Sequence, residues 1–365
     1  MALPRLVTVE APGRLCLFGE HQDFLGLSVI ASPLSLTVKV VGTPRDDSVF
    51  SIKMPDLPDE DEFDAPEELL YLRERDYLRS ATNVLRRAGL RIEQGYDCTI
   101  TGTIPINAGT SSSSALTVAW VAFLLATQQG DVPHARQDIA RYAHQAEVVE
   151  FGEPGGMMDH YTSAVGGLLY IDCREPITFE PLAAQLSGFV LGDSRVPKET
   201  KDTLRRSRAA ANEGFRLLGG LIPDFDVRST PLEQVDRYLD RLPEDAARVA
   251  RAQVVDRDLC REARALLSRP SLDADGQRRL GQMLLEHQRQ LRDGVGVSHP
   301  KLDELIDAAV AAGALGGKLN GSGMGGCMFA YAPGREQEAK AALDAAGGRG
   351  YVVSCTSGVR VDVER

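Results

Sequence analysis

Residues 105–126 read PINAGTSSSSALTVAWVAFLLA, with four consecutive serines between a glycine-threonine pair and an almost wholly apolar run. A helix that is apolar on every side is normally buried, so we expect a core helix that runs from the serines to about residue 128. The free N–H groups and the positive dipole at the start of such a helix attract anions. The stretch therefore predicts either a phosphate-binding loop or a serine-rich N-cap on a core helix. It is not a Walker A loop, because the pattern G-x-x-x-x-G-K-[ST] is absent.

A second glycine-rich run, NGSGMGGCMFAY, occupies residues 320–331. Gly321, Gly323 and Gly326 match G-x-G-x-x-G, but an apolar strand follows where a dinucleotide-binding fold requires a helix. The run therefore predicts either a loop whose backbone closely approaches a ligand or a tight turn that needs a positive φ.

Polar residues crowd into a third stretch, APGRLCLFGEHQDFLG, at residues 11–26. Arg14, Glu20, His21 and Asp23 lie within ten positions of an otherwise apolar strand and loop. This pattern suits hydrogen bonding to a small polyol, and an exposed hairpin end is the alternative.

A fourth stretch, AEVVEFGEPGGMMDHY, covers residues 146–161 and carries two carboxylates of interest. Glu147 falls on a predicted helix, whereas Asp159 follows a Gly-Gly turn that can direct a side chain into a cleft. The stretch alone leaves open whether such a carboxylate acts as a base or only caps a helix.

Length and composition narrow the class of protein. The chain has 365 residues, enough for two domains, and its net charge of −11 disfavours a nucleic-acid binder, which normally has a basic face. Its six cysteines form no C-x-x-C pair, which predicts reduced, mostly buried thiols. The first ten residues lack the apolar core of a signal peptide, and the apolar run 116–126 is too short to span a bilayer. We therefore expect a cytoplasmic protein with no membrane partner.

Strands and helices are mixed without steady alternation, which predicts an α+β fold. Residues 5–53 are expected to be β-rich, and the acidic residues 54–68 are expected to form a solvated loop. Further strands are predicted at 96–106, 168–173, 187–194, 350–355 and 358–363, with another in the apolar segment 325–333. Helices are predicted at 69–88, 136–150, 197–218, 231–267, 274–293, 300–313 and 335–346.

Taken together and in this order, the four stretches resemble the GHMP kinases, and their galactokinase branch most closely. PGRLCLFGEHQD is similar to the branch signature, PINAGTSSSSA to the phosphate loop, and GGKLNGSGMGGC to the third motif. The likeness extends from residue 11 to about residue 331. It implies a two-domain fold, with an N-terminal domain like ribosomal protein S5 domain 2 at 1–185 and a ferredoxin-like domain at 186–365. ATP is then expected in the cleft between the domains.

The resemblance also implies roles for individual residues. Asp159 matches the catalytic aspartate, Arg14 the arginine beside the reacting hydroxyl, and Ser113 and Glu147 the ligands of Mg²⁺. The expected substrate contacts are Glu20, His21, Asp23 and Gly156. The expected ATP contacts are Gly109, Ser111, Ser112, Ser113, Ser114, Gly321, Gly323 and Gly325.

The match to galactokinases is incomplete around the expected sugar. Galactokinases usually read G-E-H-T-D-Y-N-G-G, whereas residues 19–27 read GEHQDFLGL, and residue 160 is His in place of Gln. Residues 193–208, DSRVPKETKDTLRRSR, lack the tyrosine that galactokinases place near the sugar. Four cations of this segment predict either a solvated helix face or contacts to an anionic acceptor: Lys198, Lys201, Arg205 and Arg206.

The sequence therefore predicts an ATP- and Mg²⁺-dependent kinase that phosphorylates the anomeric hydroxyl of a monosaccharide, with galactose as first candidate. A kinase for another sugar, a uronic acid or a mevalonate-type alcohol is the alternative within the enzyme class. A sugar-sensing regulator that has kept the fold and lost catalysis is the alternative outside it. A serine hydrolase is excluded because no G-x-S-x-G elbow accompanies the serines.

Overall fold

The structure is a computed structural model that describes most of the chain. The described residues are 5–56, 60–64, 67–105, 109–127, 135–198 and 200–364. Three predictions therefore concern residues that are partly outside the described ranges. They are the predictions for the residues just before Gly109, for the end of the core helix at 128, and for parts of the acidic segment 54–68.

Both strands and helices make up the described chain, as an α+β fold requires. The strands are β1 Leu6–Phe18, β2 Val29–Pro44, β3 Val49–Lys53, β4 Glu60–Asp64, β5 Tyr96–Gly102, β6 Leu169–Asp172, β7 Thr178–Pro181, β8 Phe189–Asp193, β9 Gly316–Asn320, β10 Cys327–Tyr331, β11 Arg349–Val353 and β12 Arg360–Glu364. The helices are α1 Tyr77–Arg87, α2 Ser112–Ala126, α3 Arg136–His144, α4 Met158–Val165, α5 Thr200–Leu221, α6 Leu232–Asp236, α7 Glu244–Leu267, α8 Ala274–Arg289, α9 Pro300–Ala311 and α10 Glu336–Ala345. Two π-helical segments, Gln145–Val149 and Gln290–Val295, prolong α3 and α8.

The first sheet has eight strands and carries the N-terminal half of the molecule. Its order is β12–β1–β2–β5–β3–β4, with β6 paired to β2 and β7 paired to β6. The long β1–β2 pair is antiparallel, and its register shifts between Pro12 and Arg14 and again between Cys16 and Phe18. Irregularities of this kind redirect side chains at a strand end, and Arg14 lies directly beside the first of them.

Helix α2 lies in the core and packs on β1 and β2, as its uniformly apolar sequence predicts. Trp120 is fully buried, stacks on Phe123 with ring centroids 5.4 Å apart, and donates from Nε1 to the Leu78 carbonyl at 3.1 Å. Because packing holds the helix along its length, the serines at its N-terminus have a fixed position.

The second sheet is antiparallel, with the order β11–β8–β10–β9. Helices α5 to α9 connect β8 to β9, and α10 connects β10 to β11. This β-α-β-β-α-β arrangement is the ferredoxin-like one, so that part of the predicted fold is confirmed. Phe189, Phe329 and Tyr331 pack together on one face of the sheet.

The acidic segment is not the uniformly solvated loop that its charge predicts. Residues 60–64 form β4, which pairs with β3 at the edge of the first sheet. Phe63 is buried and stacks on Phe50 at 5.6 Å, while Asp61 accepts from the buried Arg79 guanidinium at 2.7 Å. Buried partners elsewhere in the chain therefore stabilise part of this segment.

Several predicted elements differ from those observed. The helix predicted at 69–88 begins only at Tyr77, because the Asn83 side chain binds both backbone groups of Leu69 and holds the preceding chain as a loop. The helix predicted at 231–267 is divided into α6, a 3₁₀ turn and α7, because Pro243 starts a new helix. Helix α4, which begins at Met158, was not predicted, nor were β7 and β9.

The last strand returns to the first sheet, since β12 pairs antiparallel with β1 from Leu6↔Glu364 to Glu10↔Arg360. The range 186–365 predicted for the second domain therefore supplies an edge strand to the first. The cysteines behave as predicted: all six lie in the described chain and are free, and five are buried. Among the described residues, no helix combines the length and apolarity needed to cross a membrane.

Candidate active site

One cleft of about 310 Å³ brings together most of the residues singled out in the sequence. Its lining comes from the end of β1, the start of α2, the π-helical turn after α3, the start of α4 and the loop after β9. The predicted site residues that line it are Arg14, Glu20, His21, Asp23, Gly109, Ser111, Ser112, Ser113, Ser114, Glu147, Gly156, Asp159 and Gly321.

Asp159 forms a compact hydrogen-bonded group with Arg14 and Ser111. Arg14 donates from Nε to Asp159 Oδ1 at 2.7 Å and from its terminal nitrogen to Oδ2 at 3.2 Å, and the Ser111 hydroxyl donates to Oδ2 at 2.6 Å. Burial by itself raises the pKa of Asp159, but the charge of Arg14 and the Ser111 hydrogen bond outweigh burial and lower it below its usual value. Asp159 is therefore ionised throughout the neutral pH range.

The serines at the start of α2 offer backbone donors rather than a side-chain cap. Ser111 is the N-cap residue, but its backbone has a left-handed φ of 61° and its side chain makes no capping hydrogen bond. The first N–H groups of an α-helix have no intrahelical acceptor, so those of Ser112, Ser113 and Ser114 are available at the cleft wall. Of the two interpretations of the serine run, the geometry favours the anion-binding one.

The two glycine-rich loops contact each other backbone to backbone. A Cβ on Gly109 would lie 2.4 Å from the carbonyl oxygen of Asn320, and one on Gly321 would lie 2.6 Å from that of Gly109. The Asn320 side chain donates to the carbonyls of Arg14 and Gly109 at 3.2 and 3.0 Å. Both glycines have φ above 80°, so a residue with a side chain would meet strain and a steric clash at either place.

Gly323 and Gly325, by contrast, lie outside the lining of the cleft. A Cβ on Gly323 would lie 2.0 Å from the Val297 carbonyl, and one on Gly325 would lie 2.7 Å from the carbonyls of Val196 and Pro197. Their close contacts are therefore to neighbouring protein segments, which hold the glycine-rich loop after β9 in place.

The predicted acceptor side of the cleft is built around Asp23. Its Oδ1 accepts from the Phe24 N–H at 2.9 Å and its Oδ2 from the Met158 N–H at 3.4 Å. A Cβ on Gly156 would lie 2.2 Å from Asp23 Oδ2, so the glycine makes room for this carboxylate. Burial first, and then the negative charge of Asp159, raise the pKa of Asp23 to about 6.

Glu20 and His21 both have protein partners. Glu20 Oε2 accepts from the Nζ of Lys318, a fully buried lysine, at 2.9 Å. His21 contacts the Ser322 carbonyl through Nε2 and the Ser207 hydroxyl through Nδ1, each at 3.1 Å. Since a carbonyl only accepts, Nε2 carries the proton, and burial lowers the pKa of His21. His21 thus joins the loop after β1 to α5 and to the glycine-rich loop after β9.

Glu147 and Ser113, the predicted ligands of Mg²⁺, both line the cleft. Glu147 is buried on the π-helical segment, and its Oε2 contacts His160 Nε2 at 2.7 Å. Within the described residues no group of three His, Cys, Asp or Glu side chains could hold a metal. A cation here would therefore need further oxygens from a bound ligand.

Sequence reasoning did not single out several residues that shape the cleft. Lys318 lies on β9 with its charge buried against Glu20 and the carbonyls of Cys16 and Leu319. Arg75 reaches the wall from the loop before α1 and pairs with Glu153 at 3.0 Å. A lysine inside the buried GGKLN strand is the one sequence signal of this kind, because lysines are rarely buried without a partner.

Three family profiles match the chain: GHMP kinases N terminal domain over residues 76–167, GHMP kinases C terminal over residues 268–349, and the galactokinase galactose-binding signature over residues 2–44. The galactokinase of Haemophilus influenzae is 30% identical over 334 residues, which cover 90% of this chain and 85% of the relative. The chain belongs to the GHMP kinase family. The predicted membership of its galactokinase-like branch is confirmed.

This GHMP kinase is also similar to the mevalonate kinase of Pyrococcus abyssi, with 30% identity over the full length of both chains. Among solved structures, its fold resembles Lactococcus lactis galactokinase complexed with galactose, with a TM-score of 0.84, 22% identity, and coverage of 97% of this chain and 95% of that one. Methanococcus jannaschii mevalonate kinase gives a TM-score of 0.70 at 17% identity, covering 96% and 98%. The two-domain GHMP kinase fold is confirmed, and the enzyme is a phosphotransferase that acts on a hydroxyl group.

Proposed function

We propose that this GHMP kinase transfers the γ-phosphoryl group of ATP to the anomeric hydroxyl of a monosaccharide, with galactose as first candidate. The observation that carries the proposal is the Asp159–Arg14–Ser111 group, in which one carboxylate is bound both by a cation and by the first serine of the phosphate-binding turn. An acceptor hydroxyl at Asp159 would therefore face the phosphates of a nucleotide held at α2.

In this proposal the protein contributes mainly positioning and charge neutralisation, as phosphoryl transfer requires. Asp159, kept ionised by Arg14, orients the acceptor hydroxyl and takes up its proton. Arg14 remains charged and favours the negative charge that develops on the hydroxyl oxygen. The N–H groups of Ser112 to Ser114 and the dipole of α2 hold the phosphate oxygens.

The residues present also fit Mg²⁺, because Ser113 and Glu147 supply a hydroxyl and a carboxylate at one wall of the cleft. Mg²⁺ prefers oxygen ligands and is usually bound by one or two carboxylates together with substrate phosphates. Bound there, it would neutralise phosphate charge. His160 holds the Glu147 carboxylate in place through Oε2.

The choice of a sugar rests on the acceptor side of the cleft and on the relatives. Glu20, Asp23 and the backbone around Gly156 surround a small polar space, and a polyol offers the hydroxyl groups to match it. The similar Lactococcus lactis enzyme was solved with galactose. The similarity to a mevalonate kinase along the whole chain keeps a mevalonate-type alcohol as the second candidate.

A panel of acceptors tests the proposal. Galactose, other hexoses, galacturonic and glucuronic acids, and mevalonate are each incubated with MgATP, ADP release is followed, and ³¹P NMR locates the phosphate on the product. We expect acceptor-dependent ADP release and a sugar 1-phosphate. A product phosphorylated elsewhere would contradict the proposed position, and binding of sugar and ATP without ADP release would favour a sugar-sensing regulator.

The variant Asp159→Ala tests the chemical role of this carboxylate. We expect a folded protein that still binds ATP but whose turnover falls by about 10²–10⁴-fold, the usual loss when a general base is removed. Thermal unfolding and ATP titration check folding and binding. Turnover equal to that of the wild type would refute the role of Asp159.

A further inference from the structure

Lys198 lines the cleft and has no ion pair or hydrogen bond within the described part of the chain. The other charged side chains of the cleft lining do have partners. The carboxylates of the lining have partners: Glu20 has Lys318, Glu147 has His160, Glu153 has Arg75, and Asp159 has Arg14. Asp23 accepts from two backbone N–H groups.

The cations that follow Lys198 do not line the cleft, and each of them has a protein partner. Lys201 pairs with Glu74 and Glu153, Arg205 pairs with Asp202 at 3.0 Å, and Arg206 donates to the Asp202 carbonyl. These three fit the solvated-face interpretation of the segment, and Lys198 does not. Lys198 lines the cleft and forms no ion pair with a described residue.

Lys198 lines the same cleft as Arg14 and Asp159. Burial lowers the pKa of Lys198, the charge of Arg14 lowers it further, and the charge of Asp159 opposes both. The ammonium group therefore lies within electrostatic reach of the pair that would meet the acceptor hydroxyl. A half-buried unpaired ammonium is unfavourable in the free protein, and an anionic oxygen bound in the cleft would relieve that cost.

We propose that Lys198 is a catalytic residue that binds the phosphoryl group while it passes from ATP to the acceptor. The inference rests on the proposed function. In the step, the bond between the γ-phosphorus and its bridging oxygen breaks, a bond to the acceptor oxygen forms, the hydroxyl proton moves to Asp159, and ADP leaves. The Lys198 ammonium keeps its proton and neutralises charge on the non-bridging oxygens of the phosphoryl group.

An anionic group on the acceptor could also bind the Lys198 ammonium. The phosphoryl group and such an acceptor group must therefore be distinguished as partners of Lys198. The acceptor side of the cleft carries the carboxylates of Glu20 and Asp23. Their negative charge disfavours an acceptor that itself carries an anionic group. Lys198 instead lines the cleft together with Arg14 and Asp159, and the charges of both act on its ammonium group. The structure therefore favours the phosphoryl group as the partner of Lys198.

The test compares Lys198→Met with Lys198→Arg and with Arg205→Met, a matched loss of charge on an exposed side chain of the same segment. We expect Lys198→Met to lower kcat by about 10²-fold, the usual loss of one transition-state donor. We also expect the acceptor KM to stay within about two-fold, Lys198→Arg to restore most of kcat, and Arg205→Met to match the wild type. Thermal unfolding checks that each variant is folded.

Binding measurements give a readout that needs no turnover. ADP lacks the γ-phosphoryl group, so Lys198→Met should weaken MgATP binding, measured by calorimetry, and leave MgADP binding unchanged. Equal loss for both nucleotides, or unchanged kcat and MgATP affinity, would overturn the inference. So would an effect confined to the KM of a uronic acid, which would assign Lys198 to the acceptor.

The same measurements separate this inference from the proposed function. If wild-type protein phosphorylates no acceptor of the panel, the proposed function fails, and the difference between MgATP and MgADP binding still decides on Lys198. If the wild type is active and Lys198→Met is equally active, the inference fails alone.

Discussion

Asp23 is buried beside the predicted acceptor position without a cationic partner among the described residues, and its raised pKa of about 6 follows from that burial and from Asp159. Below this pH the folded protein takes up a proton at Asp23, whereas above it the carboxylate is ionised and can accept hydrogen bonds from hydroxyl groups of the substrate. Because the pKa of Asp23 is raised from 3.8 in the folded protein, its contribution to the free energy of unfolding is lost as the pH rises from about 4 to about 6, and the ionised form above this range is the one able to bind.

We therefore expect the acceptor KM to rise as the pH falls through about 6, with kcat much less affected. Arg14 and Ser111 hold the pKa of Asp159 down, and burial lowers that of His21, so both are shifted away from this pH range. Steady-state kinetics between pH 5 and 8 check the prediction. Asp23→Asn should have a high KM without this dependence, and an unchanged pH profile in that variant would contradict the assignment.

Gly156 offers a second prediction at this scale. A Cβ there would lie 2.2 Å from Asp23 Oδ2, whereas one on the preceding Gly155 would come no closer than 3.7 Å to any heavy atom outside its chain neighbours. Gly156→Ala should displace the Asp23 carboxylate and raise the acceptor KM at least about ten-fold, equivalent to about 1.4 kcal/mol. Gly155→Ala is the control, and equal KM values for the two variants would argue against the contact.

Sequence motifs predicted most of the residues that line the cleft, because small and charged residues at fixed spacing indicate a ligand-binding site. They could not predict Lys318 or Arg75, whose partners lie about 300 and 80 positions away in Glu20 and Glu153. Nor could they separate Lys198 from Lys201, since both belong to one run of cations and only the fold directs one of them into the cleft.

At the scale of elements, the contact between the two glycine-rich loops fixes the start of α2 relative to β9. Gly109 and Gly89 have nearly the same φ, 83° and 91°. A Cβ on Gly109 would clash with the carbonyl oxygen of Asn320, whereas one on Gly89 would meet no heavy atom within 4 Å outside its chain neighbours. Gly89→Ala should cost about 1 kcal/mol of unfolding free energy for the left-handed backbone. Gly109→Ala should cost about 1–3 kcal/mol more for the steric clash.

Chemical denaturation measures both costs, and nucleotide titration adds a functional check. Gly109→Ala should also weaken ATP binding, because the Ser111 to Ser114 turn must shift with it, while Gly89→Ala should bind ATP normally. Equal destabilisation by the two variants would show that the loops do not depend on this contact.

Elements with strong local signals were predicted well. Helix α2 is apolar throughout, and α9 begins at Pro300 with a His299 side-chain cap. The errors arise where distant partners decide, as with β4, whose Phe63 packs on Phe50 and whose Asp61 binds Arg79. Periodicity in a single segment carries no information about such contacts.

At the scale of the whole molecule, we propose that the first folding unit comprises residues 5–185 together with β12, because β12 covers one edge of β1. Deleting residues 360–365 exposes that edge, and open edges promote aggregation. We expect a lower Tm and concentration-dependent aggregation, measured by calorimetry and light scattering.

A side-chain control accompanies this truncation. Val361 and Val363 are each 40% exposed, so Val361→Thr with Val363→Thr keeps the backbone pairing and should behave like the wild type. Truncated protein that is as stable and monodisperse as this control would disprove the role of β12. Sequence analysis predicted the strand within the range 186–365 but not its pairing with β1, because nothing local to residues 358–363 specifies a partner at residues 6–10.

The pairing of β1 with β12 also bears on biosynthesis. Leu6 leaves the ribosome well before its partner Glu364, which follows 358 positions later. At typical translation rates that delay is roughly 20–70 s. Throughout this interval the edge of β1 that β12 will cover is unpaired in the nascent chain. We therefore expect strand exchange between molecules on neighbouring ribosomes to occur most readily at this edge of β1.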